Sequence, residues 1–263
     1  MAKPEPQDTD DDDIHQLDPG DRLRRRGVYL LPNLITTGAL FAGFFAIVAG
    51  MSGNFVAAAL AIYSALILDT LDGRVARWTR SESEFGAEYD SLSDMVAFGV
   101  APALVAFTWA LSDLGQVGWV VAFIYMACAG LRLARFNTKG DNTTFTGLAS
   151  PSAAAIIASA VWIWNAPGEA ASLVASIGMA VITTVVGLLM VSQFSYFSPK
   201  TLDLKGRQPF LVLVAIVLVF AVIFAHPPLV LLLCFTAYAL SGPAVYLWDR
   251  YRGGNGSSGT SSK

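Results

Sequence analysis

Long apolar runs separated by polar breaks dominate the chain from residue 29 to residue 249. The runs cover about 29–50, 55–77, 87–111, 117–136, 150–165, 170–192, 209–225 and 228–249. Most reach the roughly 20 residues that a helix needs to cross the hydrocarbon of a bilayer; the fifth is shorter. The pattern predicts an all-α, polytopic integral membrane protein with about eight transmembrane helices. Most breaks are only a few residues long, which favours antiparallel neighbours. The stretches 137–149 and 194–208 are longer and polar.

Composition agrees with that pattern. Of the 263 residues, 54% are hydrophobic and 14% charged, and the mean hydropathy is +0.55. A soluble domain would carry far more charge. Three parts are predicted: a polar, flexible arm over 1–27, one membrane domain over 28–250, and a flexible tail over 251–263. The arm holds the acidic run DTDDDD and then Arg22, Arg24, Arg25 and Arg26, which can touch anionic headgroups. No cleavable signal peptide is expected of so polar a start. The net charge of −3 gives no reason to expect a nucleic-acid partner. Cys128 and Cys234 lie in apolar stretches and read as small hydrophobes. His15 and His226 belong to no metal-ligand cluster.

Charge also predicts orientation. With the N-terminus cytoplasmic, all 17 Lys and Arg fall in inside segments or at the cytoplasmic ends of helices. The outside breaks near 51–54, 112–116, 166–169 and 226–227 hold none. This positive-inside bias favours an even number of crossings and puts both termini in the cytoplasm. It also brings DTLDGRVAR and EYDSLSD to the same membrane face.

Those two stretches hold Asp69, Asp72, Asp90 and Asp94. Ionised carboxylates are costly at membrane depth, so four at adjoining helix ends call for a reason. Residues three, four and seven apart share a helix face. Asp69, Asp72, Gly73 and Ala76 obey that rule, as do Gly86, Asp90 and Asp94. Two helices joined by a short loop can then aim all four acids at one another. Divalent cations relieve the repulsion, and oxygen-only ligands favour hard ions such as Mg²⁺, Mn²⁺ or Ca²⁺. Two such ions sharing carboxylates suit phosphoryl chemistry. Gly73 and Ala76 open the face beside the acids to a ligand, or let helices pack closely. Arg77 can pair with a phosphate or snorkel at the helix end.

The array Asp69-x2-Asp72-Gly73-x2-Ala76-Arg77-x8-Gly86-x3-Asp90-x3-Asp94 resembles the complete signature of the CDP-alcohol phosphotransferases. That resemblance implies a six-helix membrane core, here with two helices more, a dinuclear metal site at the cytoplasmic side and commonly a homodimer. The family moves a phosphatidyl or related group from a CDP-linked donor to an alcohol, and CMP leaves. Asp69, Asp72 and Asp90 would be metal ligands. Asp94 would be the general base and would also touch a metal. Gly73, Ala76, Arg77 and Gly86 would line the cytidine-diphosphate pocket.

Further stretches resemble the phosphatidylserine synthase branch of that family. They are LPNLITTGALFAGFFAI, GLRLARFNT, FTGLASPSAAA and LLMVSQFSYFSPK, with Ala149 standing where the branch has proline. The implied substrates are CDP-diacylglycerol and L-serine. Serine offers a carboxylate to cations and an ammonium to acceptors. Arg132, Arg135 and Lys200 are candidate cations, and Asn137, Ser192, Ser195, Tyr196 and Ser198 candidate neutral partners. The cations hold the acceptor or the donor phosphates, or else mark cytoplasmic helix ends. Pro32 and Asn33 open the first span; Asn33 reaches the nucleotide or caps the helix, and Thr36 and Thr37 share that ambiguity. Two other readings stand beside this one: a same-family transferase for inositol phosphate or glycerol phosphate, and a divalent-cation transporter.

Overall fold

The computed structural model describes residues 19–138, 146–165, 171–194 and 224–254, with 196, 214 and 217 besides; side chains are described between 30 and 248. Seven helices lie among these residues: α1 (Pro19–Met51), α2 (Phe55–Thr79), α3 (Glu84–Trp109), α4 (Gln116–Thr138), α5 (Ser150–Trp164), α6 (Leu173–Val191) and α7 (Pro227–Gly254). Six of them, all but α5, contain stretches long and apolar enough to cross a membrane. The fold is therefore all-helical with six candidate spans. The span expected over 209–225 lies largely outside the described residues, as do residues 1–18 and 255–263, Ser195, Ser198 and Lys200.

One boundary differs from expectation. Helix α1 starts at Pro19 and takes in residues 19–27 of the polar arm. Proline suits a first helical turn, and the arginines that follow are good helix formers. Pro32 consequently sits inside the helix, so Asn33, Thr36 and Thr37 do not cap it.

The second and third helices have well-marked ends. The Asn54 side chain accepts from the Ala57 N–H at 3.2 Å and starts α2. Arg80, at φ 52°, closes it in the left-handed conformation. Three residues later the Ser83 hydroxyl accepts from the Gly86 N–H at 3.0 Å and starts α3. These caps set the phase of both acid-bearing helices. Within α3, residues Met95–Val100 form a π-helical turn that begins directly after Asp94.

Packing is close because small residues face one another. A methyl group on Gly43 of α1 would stand 2.7 Å from Ala97 Cα of α3. Helix α5 lies in the middle of the bundle: between Ser150 and Val161 every residue but Pro151 is buried. Its length of about 22 Å is tolerable because protein, not lipid, surrounds it. The outer helices instead expose large apolar groups, including Leu34, Phe41 and Phe44 on α1 and Val181 and Leu188 on α6. A soluble protein rarely shows apolar area on this scale.

A buried tyrosine braces the π-helical turn of α3, where the Ala101 N–H reaches back five residues to the Val96 carbonyl. The Tyr125 hydroxyl of α4, fully buried, donates to the Phe98 carbonyl at 2.9 Å. Tyr125→Phe should therefore remove a buried hydrogen bond and cost about 0.5–1.5 kcal/mol. A lowered thermal midpoint in detergent checks this, and an unchanged midpoint contradicts it.

Side-chain and backbone links gather alternate helix ends at one end of the bundle. Thr36 of α1 meets Asp72 of α2 and, through its carbonyl, Ser93 of α3. The Asn137 amide of α4 donates to Ser91 of α3 at 3.0 Å. Arg132 of α4 meets Ser150 of α5, and the Leu148 N–H donates to the Leu189 carbonyl of α6 at 3.0 Å. Both acid-bearing stretches lie at this end.

The segment entering α5 is tightly held. Gly147, at φ +88°, sits where a methyl group would stand 2.2 Å from the Met190 carbonyl oxygen, so only glycine fits. Ala149 follows with φ −63° and ψ 133°, the conformation that proline itself adopts. The alanine thus preserves the backbone that proline would give. Ala149→Pro should be tolerated and raise stability by up to about 1 kcal/mol, through a less flexible unfolded chain. A fall in the thermal midpoint would contradict that.

Candidate metal centre and active site

The caps on α2 and α3 put Asp69 and Asp72 in the last turns of one helix and Asp90 and Asp94 early in the next. The structure brings three of these together. One carboxylate oxygen from each of Asp69, Asp72 and Asp90 lies within 4.8 Å of the others. Oxygens that share a Mg²⁺, Mn²⁺ or Ca²⁺ ion stand at most about 4–5 Å apart, given metal–oxygen distances of about 2.0–2.6 Å. Three hard oxygen donors at this spacing fit a divalent cation. Asp94 lies outside that trio, with its carboxyl group in hydrogen-bonding contact with that of Asp69.

Asp72 is the most enclosed of the four, at 4% exposure. The Thr36 hydroxyl donates to its Oδ2 at 2.7 Å. The Thr36 carbonyl in turn accepts from the Ser93 hydroxyl at 3.2 Å. One residue of α1 thereby holds the Asp72 carboxylate on α2 and the Ser93 side chain beside Asp94 on α3. Such outer contacts orient metal ligands.

The signature's other members lie on the same two helices as the acids. Arg77 is exposed, and its Nη1 would lie 3.8 Å from a methyl group placed on Gly73, so the guanidinium folds back over that glycine. A methyl on Gly86 would stand 3.3 Å from Asn33 Oδ1 and 3.1 Å from Ser83 Oγ. Asn33 therefore leans on the first turn of α3, at the acid-bearing end. Ala76 is half-buried on α2, one turn beyond Asp72. Thr37 meets the Tyr89 hydroxyl at 3.0 Å, and Tyr89 stacks on Phe85 at a centroid distance of 6.0 Å.

The candidate acceptor residues separate. Arg132 is mostly buried, donates from Nη1 to Ser150 Oγ at 2.7 Å, and lies within charge-interaction range of Asp94 and Asp69. Arg135 is half-buried one turn nearer the end of α4. Tyr196 points elsewhere: it is 6% exposed and its hydroxyl donates to the Ala239 carbonyl of α7 at 3.1 Å. Burial pushes its phenol up to about 12, which keeps it a neutral donor. Its ring occupies space that a side chain on Gly242 would need, 2.6 Å from the place of a methyl group. Tyr196 anchors α7 to the segment after α6.

Sequence reasoning did not single out Ser93, Tyr89 or Ser150. Ser93 and Tyr89 each neighbour a signature aspartate, but nothing in their spacing says which way they point.

A family model described as CDP-alcohol phosphatidyltransferase matches residues 29–192, a stretch that holds all four aspartates. The chain belongs to the CDP-alcohol phosphatidyltransferase family. Members of this family use divalent metal, and the trio of carboxylates supplies a place for it. Several relatives carry the name CDP-diacylglycerol–serine O-phosphatidyltransferase. One from Helicobacter pylori is 37% identical over 200 residues, covering 73% of this chain and 82% of its own. One from Methanocaldococcus jannaschii is 37% identical over 189 residues, covering 71% and 82%. One from Bacillus subtilis is 33% identical over 167 residues, covering 63% and 89%. The region matched by the CDP-alcohol phosphatidyltransferase model ends just after α6, so α7 lies beyond it.

Proposed function

We propose that this protein is a membrane phosphatidylserine synthase, which joins the phosphatidyl group of CDP-diacylglycerol to L-serine and releases CMP. The observation that carries the reading is the trio of carboxylate oxygens within 4.8 Å, with Asp94 beside it, at one end of the bundle. Similarity to relatives named for this reaction supports the choice of acceptor.

In this reading Asp69, Asp72 and Asp90, with Asp94, would hold two divalent cations, Mg²⁺ or Mn²⁺, which would supply positive charge to offset that building on the donor's pyrophosphate in the transition state. Asn33, Gly73, Ala76, Arg77 and Gly86 line the place of the cytidine diphosphate. Asp94 accepts the proton of the serine hydroxyl. The serine oxygen forms a bond to the phosphorus that carries diacylglycerol. The bond from that phosphorus to the CMP oxygen breaks, and CMP leaves with the electron pair. Arg135 and Lys200 contact the donor phosphates or the acceptor. Tyr196 contributes by fixing α7.

The charge distribution supports a site and both termini on the cytoplasmic side, within a cytoplasmic membrane. There the donor's headgroup reaches the acids while its acyl chains stay in lipid. The reading further includes eight crossings, with 209–225 as one of them, and a homodimer.

The test is an acceptor screen with purified protein, CDP-diacylglycerol and Mn²⁺ or Mg²⁺. L-Serine should yield phosphatidylserine and CMP. CMP release with glycerol phosphate or inositol phosphate instead would keep the family's chemistry and reject this acceptor. Metal flux in sealed vesicles without CDP-lipid turnover would favour a transporter.

A further inference from the structure

Helix α2 carries a second stripe opposite its acids. Ile67, Leu71, Arg74 and Trp78 follow one another at intervals of four, three and four residues, which keeps them on one helix face. At about 100° per residue, that face points away from Asp69, Asp72, Gly73 and Ala76. All four residues of the stripe are exposed, Ile67 at 58%, Leu71 at 43% and Trp78 at 92%. Among the described residues no ring packs on Trp78 and no carboxylate pairs with Arg74. The helix itself offers Arg74 no partner, since the positions three and four residues away are Thr70, Leu71, Arg77 and Trp78.

The order along the stripe follows the polarity of a lipid leaflet. Two branched apolar side chains come first, and then a cation and an indole in the last turns before Arg80 closes the helix. Arginine joins an apolar stem to a charged head, and tryptophan an apolar ring to one N–H donor, so both suit the headgroup layer. Arg74 stands two residues beyond Asp72, about 3 Å along the axis. A phosphate held by Arg74 would thus lie at nearly the depth of the acids, on the other side of the helix.

We infer that this stripe binds an anionic phospholipid, at a site separate from the acids: Arg74 takes the phosphate, Trp78 packs beside the headgroup, and the acyl chains run along Leu71 and Ile67. The charge favours lipid over a second copy of the chain. A two-fold axis along the membrane normal brings equal depths together, so a copy docked here would set arginine against arginine. An anionic headgroup supplies the opposite charge. The site does not depend on which alcohol the enzyme uses.

The experiment places the full chain in vesicles of phosphatidylcholine with a fixed fraction of phosphatidylglycerol, one lipid or the other carrying bromine near the headgroup end of its chains. Bromine quenches an indole on contact, and the difference between wild type and Trp78→Phe isolates the emission of Trp78. Mole for mole, phosphatidylglycerol should occupy the site about fivefold more often than phosphatidylcholine, the preference that one arginine near the surface gives. Arg74→Gln should bring the two lipids within about twofold of each other. Arg80→Gln changes an exposed arginine just past the helix and should leave the preference in place. Equal quenching by both lipids in wild type overturns the inference. An equal loss of preference in Arg74→Gln and Arg80→Gln overturns it too, because diffuse surface charge then accounts for the effect. Quenching by neither lipid means that protein covers Trp78, as in a dimer through this face, and overturns it as well.

Discussion

Asp94→Asn should lower the rate of CMP release by about 10²–10⁴-fold, the usual contribution of a general base, while CDP-diacylglycerol remains bound. The change is nearly isosteric, so the contact with Asp69 and the start of the π-helical turn have no steric reason to move. What is lost is a carboxylate able to take the proton from the acceptor hydroxyl. Asp94 stands outside the trio of closest oxygens, and in the proposed reaction it adds the proton-accepting role to its share in the metal site. Single-turnover CMP release and donor binding, measured on the same preparation, check both halves. A rate within about threefold of wild type would place the base elsewhere.

Asp90→Ala should be as damaging by another route. Asp90 is the member of the trio that α3 contributes; Asp69 and Asp72 both come from α2. Without Asp90 no carboxylate of that trio bridges the two helices, and two oxygens on one helix make a poor cation site. Titration with Mn²⁺, read by electron paramagnetic resonance, should show a lost or weakened site. Turnover should fall about 1000-fold or more, matching several kcal/mol of transition-state charge stabilisation. Full Mn²⁺ affinity with full turnover would remove Asp90 from the metal centre. Selective loss of Mn²⁺ binding also distinguishes this variant from Asp94→Asn, where loss of rate should dominate.

The helices were legible because crossing a bilayer imposes a length on apolar runs. Observed α2, α4 and α6 begin and end within a few residues of the runs 55–77, 117–136 and 170–192. The start of α1 was not legible, since a polar arm carries no apolar signal whether helical or not. The acids were legible because helical spacing alone puts Asp69 with Asp72 and Asp90 with Asp94. Their supports were not. Thr36 could have capped a helix or faced a ligand, and only the packing of α1 on α2 decides that its hydroxyl meets Asp72. The bonds from Arg132 to Ser150 and from Tyr125 to the Phe98 carbonyl join residues 18 and 27 apart in sequence. No local pattern records such contacts. Tyr196 shows the reverse difficulty: a polar side chain in a polar stretch reads as a ligand, yet its hydroxyl secures another helix.

The wider turn over Met95–Val100 has a consequence for how this chain tolerates change in length. Its looser winding lets the two ends of α3 be phased separately, the acids towards α2 and Ala97, Ala101 and Val105 into the core. A π turn takes up one residue more than an α turn, so deleting one residue there would return the helix to ordinary winding with its two ends still in phase. A deletion in the α-helical stretch on either side would instead swing one end relative to the other by about 100°, and either the acids or the apolar face would then point the wrong way. Within α3, loss of one residue from Met95–Val100 should therefore do less harm than loss of one outside it.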